Sequence, residues 1–203
     1  MSNDLDIGLF PLDMVILPGE RAPLHVFEPR YRQLVADTTL EDRPFVMIRE
    51  SDGVLAEIGT LTRFATLVRR FEDGRMTLIA RGERPVRVTE HQSAHLYRAG
   101  RASEIADEDD TEDPTLVAAA EEAFRRATGV SGELPAASGV ARSYALAGSV
   151  DLGAEVKQRL LESRSEPERL RLLAEALDAA GAEARHQRMA AERAQTNGRV
   201  TKP

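Results

Sequence analysis

The chain has 203 residues, a formal net charge of −7 and 42% hydrophobic residues, enough to fill the core of one large domain or two small ones. It contains no cysteine, which excludes disulfides and thiol chemistry, and no apolar run approaches the roughly 18 residues that a membrane span needs. The first residues are acidic and do not resemble a basic signal segment. We therefore expect a cytoplasmic protein that does not enter the membrane.

The amino-terminal residues change their hydrophobic period within a short distance. Alternate apolar residues over 10–16 predict a strand, and Pro18-Gly19 predicts a tight turn in which the glycine takes a positive φ. Leu24, Val26 and Phe27 then predict a second strand that packs against the core. Pro29 has the fixed φ of a first helical turn, so a short helix is expected to follow.

The residues up to about 104 predict a series of short strands. Asp52-Gly53 and Asp73-Gly74 are typical of hairpin turns. Many short strands with little helix predict a compact barrel or a curled sheet. The expected strands are 45–49, 54–64, 66–71, 76–81, 86–89 and 97–105.

The composition changes near residue 104. The acidic run EIADEDDTED predicts a solvated linker, since no core would accept it. After it, Asp113 and Pro114 predict a capped helix that ends at Gly129, and further helices are expected near 139–147, after Asp151 and after Ser165. The predicted organisation is a barrel over 1–104, a linker over 105–113, a helical bundle over 114–195 and a disordered tail over 196–203.

Several of these segments resemble the amino-terminal, substrate-binding domain of Lon proteases. The resemblance is carried by Pro11-Leu12, by Pro18-Gly19 and by an almost unbroken match over 23–35. The short motifs IGTL at 58–61, DGR at 73–75 and EVKQRLLE at 155–162 follow in the family's order. The resemblance implies an α+β fold, a PUA-like β-barrel followed by an α-helical bundle. It also implies that a set of signature residues either determines the fold or contacts a peptide: Pro18, Gly19, Phe27, Glu28, Arg30 and Tyr31.

The resemblance further implies a binding module rather than an enzyme. A Lon protease continues with an ATPase and a peptidase, and a phosphate-binding loop needs a lysine directly after a glycine. Lys157 and Lys202 are the only lysines, and neither follows a glycine. We expect a recognition domain that stands alone, without catalytic residues or cofactors, in which Lys157 is a solvated partner of nearby carboxylates. Its implied partners are unfolded or hydrophobic polypeptides, held in a groove between barrel and bundle.

The histidines offer little chemistry. His91 and His95 have a spacing that could present two imidazoles on one helix face, but they fall between predicted strands and lack a third ligand. His25 and Glu28 could act as acid and base, yet no nucleophile motif accompanies them. We therefore expect structural or exposed roles for these residues and no metal site.

The alternative to a polypeptide-binding module is an RNA-binding PUA-like module, because the predicted barrel is rich in arginine. Nucleic-acid binding needs basic side chains gathered on one surface, often with aromatic residues for stacking. Aromatic residues make up only 4% of the chain, and alternation along strands scatters the arginines over two faces. Pairing with the acidic linker is the expected role of these arginines: Arg63, Arg69, Arg70, Arg75, Arg81, Arg84, Arg87, Arg98 and Arg101.

Overall fold

The structure is a computed structural model that describes residues 5–91 and 93–197. Its strands precede its helices except for one helix inserted after the second strand, which confirms the predicted α+β fold. The elements, in chain order, are β1 (Leu5–Leu12), β2 (Arg21–Val26), α1 (Pro29–Leu40), β3 (Phe45–Ser51), β4 (Val54–Leu55), β5 (Ile58–Arg70), β6 (Met76–His91), β7 (Ala99–Glu104), α2 (Pro114–Thr128), α3 (Arg142–Ala147), α4 (Gly153–Glu162) and α5 (Glu166–Asn197).

Five of the strands close into a barrel. The order of pairing is β1, β7, β6, β5 and β3, and β3 returns to β1. The β1–β3 pair is parallel, whereas the other pairs of the ring are antiparallel. Strand β1 closes the ring because its first half pairs with β7 and its second half pairs with β3. Strand β2 adds to the sheet beside β6.

Some predicted strand boundaries are wrong. Strands β5 and β6 are each continuous where two shorter strands were expected, because β-bulges absorb the irregular residues within the ladder. Strand β1 ends at Leu12 rather than continuing to residue 16. Val15 and Leu17 leave the sheet and pack in a cluster with the helices, while Ile16 packs in a cluster with residues of β2, α1 and the adjoining strands.

The hydrophobic core connects the two halves of the chain. The helical cluster is built mainly from α2, α3, α4 and α5, but it also includes Val15, Leu17 and Ile58 from the barrel half. Leu160 is fully buried in this cluster and its neighbour Arg159 is exposed, so α4 presents the face that the sequence predicted. Asp113 caps α2 by accepting a hydrogen bond from the Thr115 amide at 2.8 Å, and Gly129 ends that helix with a φ of 73°.

The acidic segment 105–113 is largely exposed, yet it is attached to the helices. Arg169 is completely buried, and its Nη1 donates to the Asp107 carboxylate at 2.9 Å. The same guanidinium donates from Nε to Glu166 at 2.9 Å, and the Glu166 amide donates to the Asp109 carbonyl at 2.8 Å. The segment is thus held by specific polar contacts, which its composition alone did not predict.

Helix α5 is longer than expected. It continues to Asn197, two residues into the range predicted to be disordered. The remainder of that predicted tail, 198–203, lies outside the described residues. None of the helices in the described part of the chain has the length and apolar character required to cross a bilayer.

Candidate functional site

An apolar cleft of about 860 Å³ lies between α1 and the hairpin formed by β5 and β6. Val35 and Leu40 contribute to the α1 wall, and Phe64, Leu67 and Met76 contribute to the wall formed by the hairpin. Leu40 is 84% exposed and Leu67 is 54% exposed, although both are large apolar side chains. A concave surface with accessible apolar side chains is suited to binding another apolar group.

Two β-bulges build the wall that β5 contributes. Phe64, Leu67 and Arg70 are three positions apart, and regular alternation would point successive members of such a set to opposite faces. The register shifts between Phe64 and Thr66 and between Leu67 and Arg69 each insert one residue. As a result, the three residues lie opposite Ala80, Leu78 and Met76, which alternate along one face of β6. All three therefore line the cleft.

The cleft runs along an unpaired strand edge. The first part of β5 pairs with both β3 and β6, but β3 pairs with it only as far as Thr62. Within the described residues, the part of β5 over 63–70 has β6 as its sole strand partner. Its second edge therefore presents main-chain groups that can pair with another extended chain.

Arg32 connects α1 to the tip of the hairpin at one end of the cleft. Its Nη1 donates to the Asp73 carbonyl at 3.2 Å. Gly74 permits this approach, since a Cβ at that position would lie 2.7 Å from the same Nη1. Gly74 also has a φ of 83°, which favours glycine in the turn. Arg32 thus helps to set the spacing between the two walls.

The six signature residues lie in two separate places, and none of them is part of the cleft lining. Pro18 is buried and Gly19 turns with a φ of 81° against Val140, at the junction of barrel and helices. The other four lie at the start of α1. Tyr31 is 3% exposed, stacks on Phe10 with ring centroids 4.0 Å apart, and donates to the Pro11 carbonyl at 2.8 Å. Burial raises the pKa of Tyr31.

The remaining three signature residues have different environments. Phe27 was expected to pack in the core, and that expectation is wrong, because its side chain is 62% exposed just beyond the end of β2. Glu28 precedes the first turn of α1 and accepts a hydrogen bond of 2.8 Å from Arg30 Nε. Arg30 also lies over the Tyr31 ring, 4.5 Å from its centroid. These contacts organise the beginning of α1.

The groove expected between barrel and bundle is a smaller and more polar cleft of about 260 Å³, lined in part by Glu20, Arg21 and Arg81. Beside it, Lys157 is only 9% exposed and donates to Glu20 at 2.6 Å. The expectation of a solvated Lys157 is therefore wrong. Helical periodicity placed it on the polar side of α4, but the turn after Pro18 covers that side.

His91 and His95 line one surface cavity of about 340 Å³, whereas His25 is not part of its lining. His91 Nε2 lies 2.9 Å from an Asp6 carboxylate oxygen, and His95 Nδ1 lies 3.5 Å from one of Asp37. His25 Nδ1 lies 2.8 Å from the Thr77 hydroxyl. Among the side chains that the structure describes, no three potential metal ligands come together.

Five of the nine arginines form ion pairs with carboxylates within residues 42–104, so the predicted pairing with the acidic linker over 105–113 is wrong; Arg84 comes nearest to it, because it pairs with Glu104 at the start of the acidic run. Arg98 bridges Glu50 at 2.7 Å and Glu90 at 2.5 Å, and its guanidinium lowers the pKa of Glu90. Other pairs join Arg63 to Glu83, Arg75 to Asp73, Arg84 to Glu104 and Arg87 to Glu57. Neighbouring strands bring Arg63 to Glu83 and Arg84 to Glu104, and the hairpin turn brings Arg75 to Asp73, whereas Asp107 and Asp109 of the acidic segment contact α5.

The structure is that of a small binding domain: a closed barrel continues into helices, and an accessible apolar cleft lies on the surface. The chain belongs to the family of the ATP-dependent protease La (LON) substrate-binding domain, which matches residues 6–179. The predicted family is thereby confirmed, and with it a substrate-binding role for the domain.

Solved structures show the same fold. The crystal structure of a Lon N-terminal domain protein from Xanthomonas campestris has 28% sequence identity and a TM-score of 0.65, covering 83% of this chain and 96% of that one. The N-terminal domain of the Mycobacterium avium complex Lon protease has 15% identity and a TM-score of 0.65, covering 85% and 98% respectively, and supports the fold alone. No curated protein gives a significant match.

Proposed function

We propose that this domain binds unfolded or hydrophobic segments of polypeptide in the cleft between α1 and the β5–β6 hairpin, and that it does so without catalysis. The observation that carries the proposal is the exposure of Leu40 and Leu67 within a cleft large enough for several side chains. Burying such side chains against a partner is favourable by about 25 cal/mol for each Å² of apolar surface. Membership of a substrate-binding family supports the same conclusion.

Binding is expected to be weak. A single cleft buries a limited area, and ordering a flexible peptide offsets much of the gain. Titration of a labelled, unfolded peptide should give a dissociation constant on the order of 10 µM. Leu67→Asp should weaken this binding by roughly tenfold, since it places a charge in the apolar wall. Val54→Asp is the matched control because Val54 is 70% exposed on β4, outside the cleft. Equal affinities of wild type and Leu67→Asp would refute the cleft as the site.

RNA binding is the competing hypothesis, and the arrangement of side chains disfavours it. Arg69 and Arg75 both lie over the Phe71 ring, at 4.5 and 5.3 Å from its centroid, so this aromatic surface is already occupied by cations. Several other arginines are engaged with carboxylates. A short RNA titrated in parallel should bind only at low salt. RNA binding that persists at physiological salt, with no peptide binding, would overturn the proposal.

The absence of catalysis is tested directly. The purified protein should not hydrolyse ATP, because the sequence has no lysine placed to form a phosphate-binding loop. It should not degrade casein either, since no nucleophile motif such as Gly-x-Ser-x-Gly occurs in the sequence. An ATPase or protease activity that a single substitution in this chain abolishes would contradict the proposal.

A further inference from the structure

The apolar wall of the cleft ends in a positive charge. Arg70 follows Phe64 and Leu67 in the row that the two bulges align, and it lies opposite Met76 at the last pair of the β5–β6 ladder. Its side chain is exposed. The row therefore offers two apolar contacts and then a guanidinium, spaced along an extended strand.

Neither Arg70 nor the neighbouring Arg32 forms an ion pair with another described residue. Arg32 donates to the carbonyl of Asp73, which carries no formal charge, and the Asp73 carboxylate is taken by Arg75 at 2.7 Å. Most other barrel arginines have a carboxylate partner, although the chain as a whole has a net charge of −7. Two cations without carboxylates at the end of an apolar cleft therefore complement an acidic group on the occupant.

The strand edge indicates the conformation of that occupant. The edge of β5 over 63–70 is unpaired within the described residues, and an extended segment placed beside it could use the main-chain donors and acceptors. Side chains of such a segment project toward one face at every second residue. Those that face the cleft would meet Phe64, Leu67 and Arg70 in turn.

From these observations we infer that the cleft selects extended apolar segments that carry an aspartate or glutamate side chain beyond their apolar residues, and that Arg70, assisted by Arg32, binds this carboxylate. The inference rests on the proposed function, since it assigns a substrate preference to the same cleft. A domain with this preference would discriminate among hydrophobic segments, whereas an apolar cleft without Arg70 would accept any of them.

Two peptides test the inference. Both alternate leucine with polar residues and are blocked at both termini, so that no terminal carboxylate contributes. One carries glutamate two positions after the last leucine, on the same face as the leucines, and the other carries glutamine at that position. The glutamate peptide should bind wild type about two- to fivefold more tightly, as expected of one exposed ion pair, and higher salt should reduce the difference. Arg70→Gln should remove most of the difference between the two peptides, because the principal cation that binds the carboxylate is then absent.

Two further variants sharpen the test. Arg101→Gln is the matched control, because Arg101 is an exposed arginine of β7 that does not line the cleft, and it should retain the preference. Arg70→Glu should instead favour a peptide with lysine at the variable position. Measurable and equal binding of the glutamate and glutamine peptides to wild type would refute the carboxylate preference and leave the proposed function intact. Failure of both peptides to bind would refute the proposed function, and this inference with it.

Discussion

Lys157 of α4 and Glu20, which follows the Pro18-Gly19 turn, are 137 positions apart in the chain and are joined by a hydrogen bond of 2.6 Å between Nζ and Oε1. Each side chain is only 11% exposed. The second oxygen of the Glu20 carboxylate accepts from the Leu17 amide at 2.9 Å. The pair thus connects α4 to the turn between β1 and β2.

Lys157→Met should destabilise the protein by about 3 kcal/mol, because it leaves the largely buried Glu20 carboxylate without its cation. The double variant Glu20→Gln, Lys157→Met should lose less free energy of unfolding than the two single variants lose together, since no unpaired charge remains buried in it. Urea denaturation of the four proteins measures the coupling. Additive losses would show that the pair does not contribute as the geometry indicates.

Leu160→Ala should lower the free energy of unfolding by about 2 to 5 kcal/mol, the range for a truncated core leucine. Its side chain is completely buried in the helical cluster. Arg159→Ala, on the exposed side of the same helix, should change it by no more than about 0.5 kcal/mol. Comparable effects of the two substitutions in chemical denaturation would contradict the orientation of α4.

Asp107→Asn should accelerate cleavage of the segment 105–113 by a glutamate-specific protease. The substitution removes the charge that Arg169 binds, and the segment then depends more on its backbone contacts. Asp110→Asn is the matched control, since Asp110 is exposed and takes part in no ion pair with the described residues. Both cleavage rates can be followed by mass spectrometry.

The same experiment tests the predicted domain boundaries. Stable fragments on both sides of 105–113 would support a barrel over 1–104 and a bundle over 114–195. First cleavage within the barrel would contradict that division. Rapid loss of both fragments after cleavage would instead indicate that the shared cluster around Val15, Leu17 and Ile58 makes the two halves interdependent.

Stability should fall between about pH 10 and pH 12, and Tyr144 should account for part of the loss. Burial raises the pKa of Tyr144 to about 12, whereas tyrosine in the unfolded chain ionises near pH 10. Since the unfolded state releases the proton first, this stabilising contribution is complete below pH 10 and is lost as pH rises toward 12. Between pH 10 and pH 12, the free energy of unfolding of Tyr144→Phe should therefore fall by about 2 kcal/mol less than that of wild type. Urea denaturation at pH 8, 10 and 11.5 measures the difference; parallel curves would contradict it.

Local sequence determined much of the secondary structure. The helices after residue 113 follow from apolar residues at helical spacing, and α2 begins and ends where Asp113 and Gly129 predict. The tight turn at Gly19 and the hairpin turns at Asp52-Gly53 and Asp73-Gly74 were likewise readable, because a positive φ strongly favours glycine. These features depend on interactions between residues that are close in the chain, so a single sequence contains the information.

The tertiary structure alone decided which side chains share a site. Phe64, Leu67 and Arg70 have a spacing that fits no regular strand, and only the pairing of β5 with β6 places the bulges that align them. Lys157 and Arg169 carry charges that composition assigns to the surface, yet Glu20 and Glu166 accompany them into the interior, and Asp107 reaches Arg169 from the exposed segment. Glu20 and Asp107 are distant in the chain from the cations they meet. A charge can be buried only where a partner lies close to it in space. The hydrophobic period of one helix or strand shows which of its faces is apolar, but not which residues of other elements lie against it.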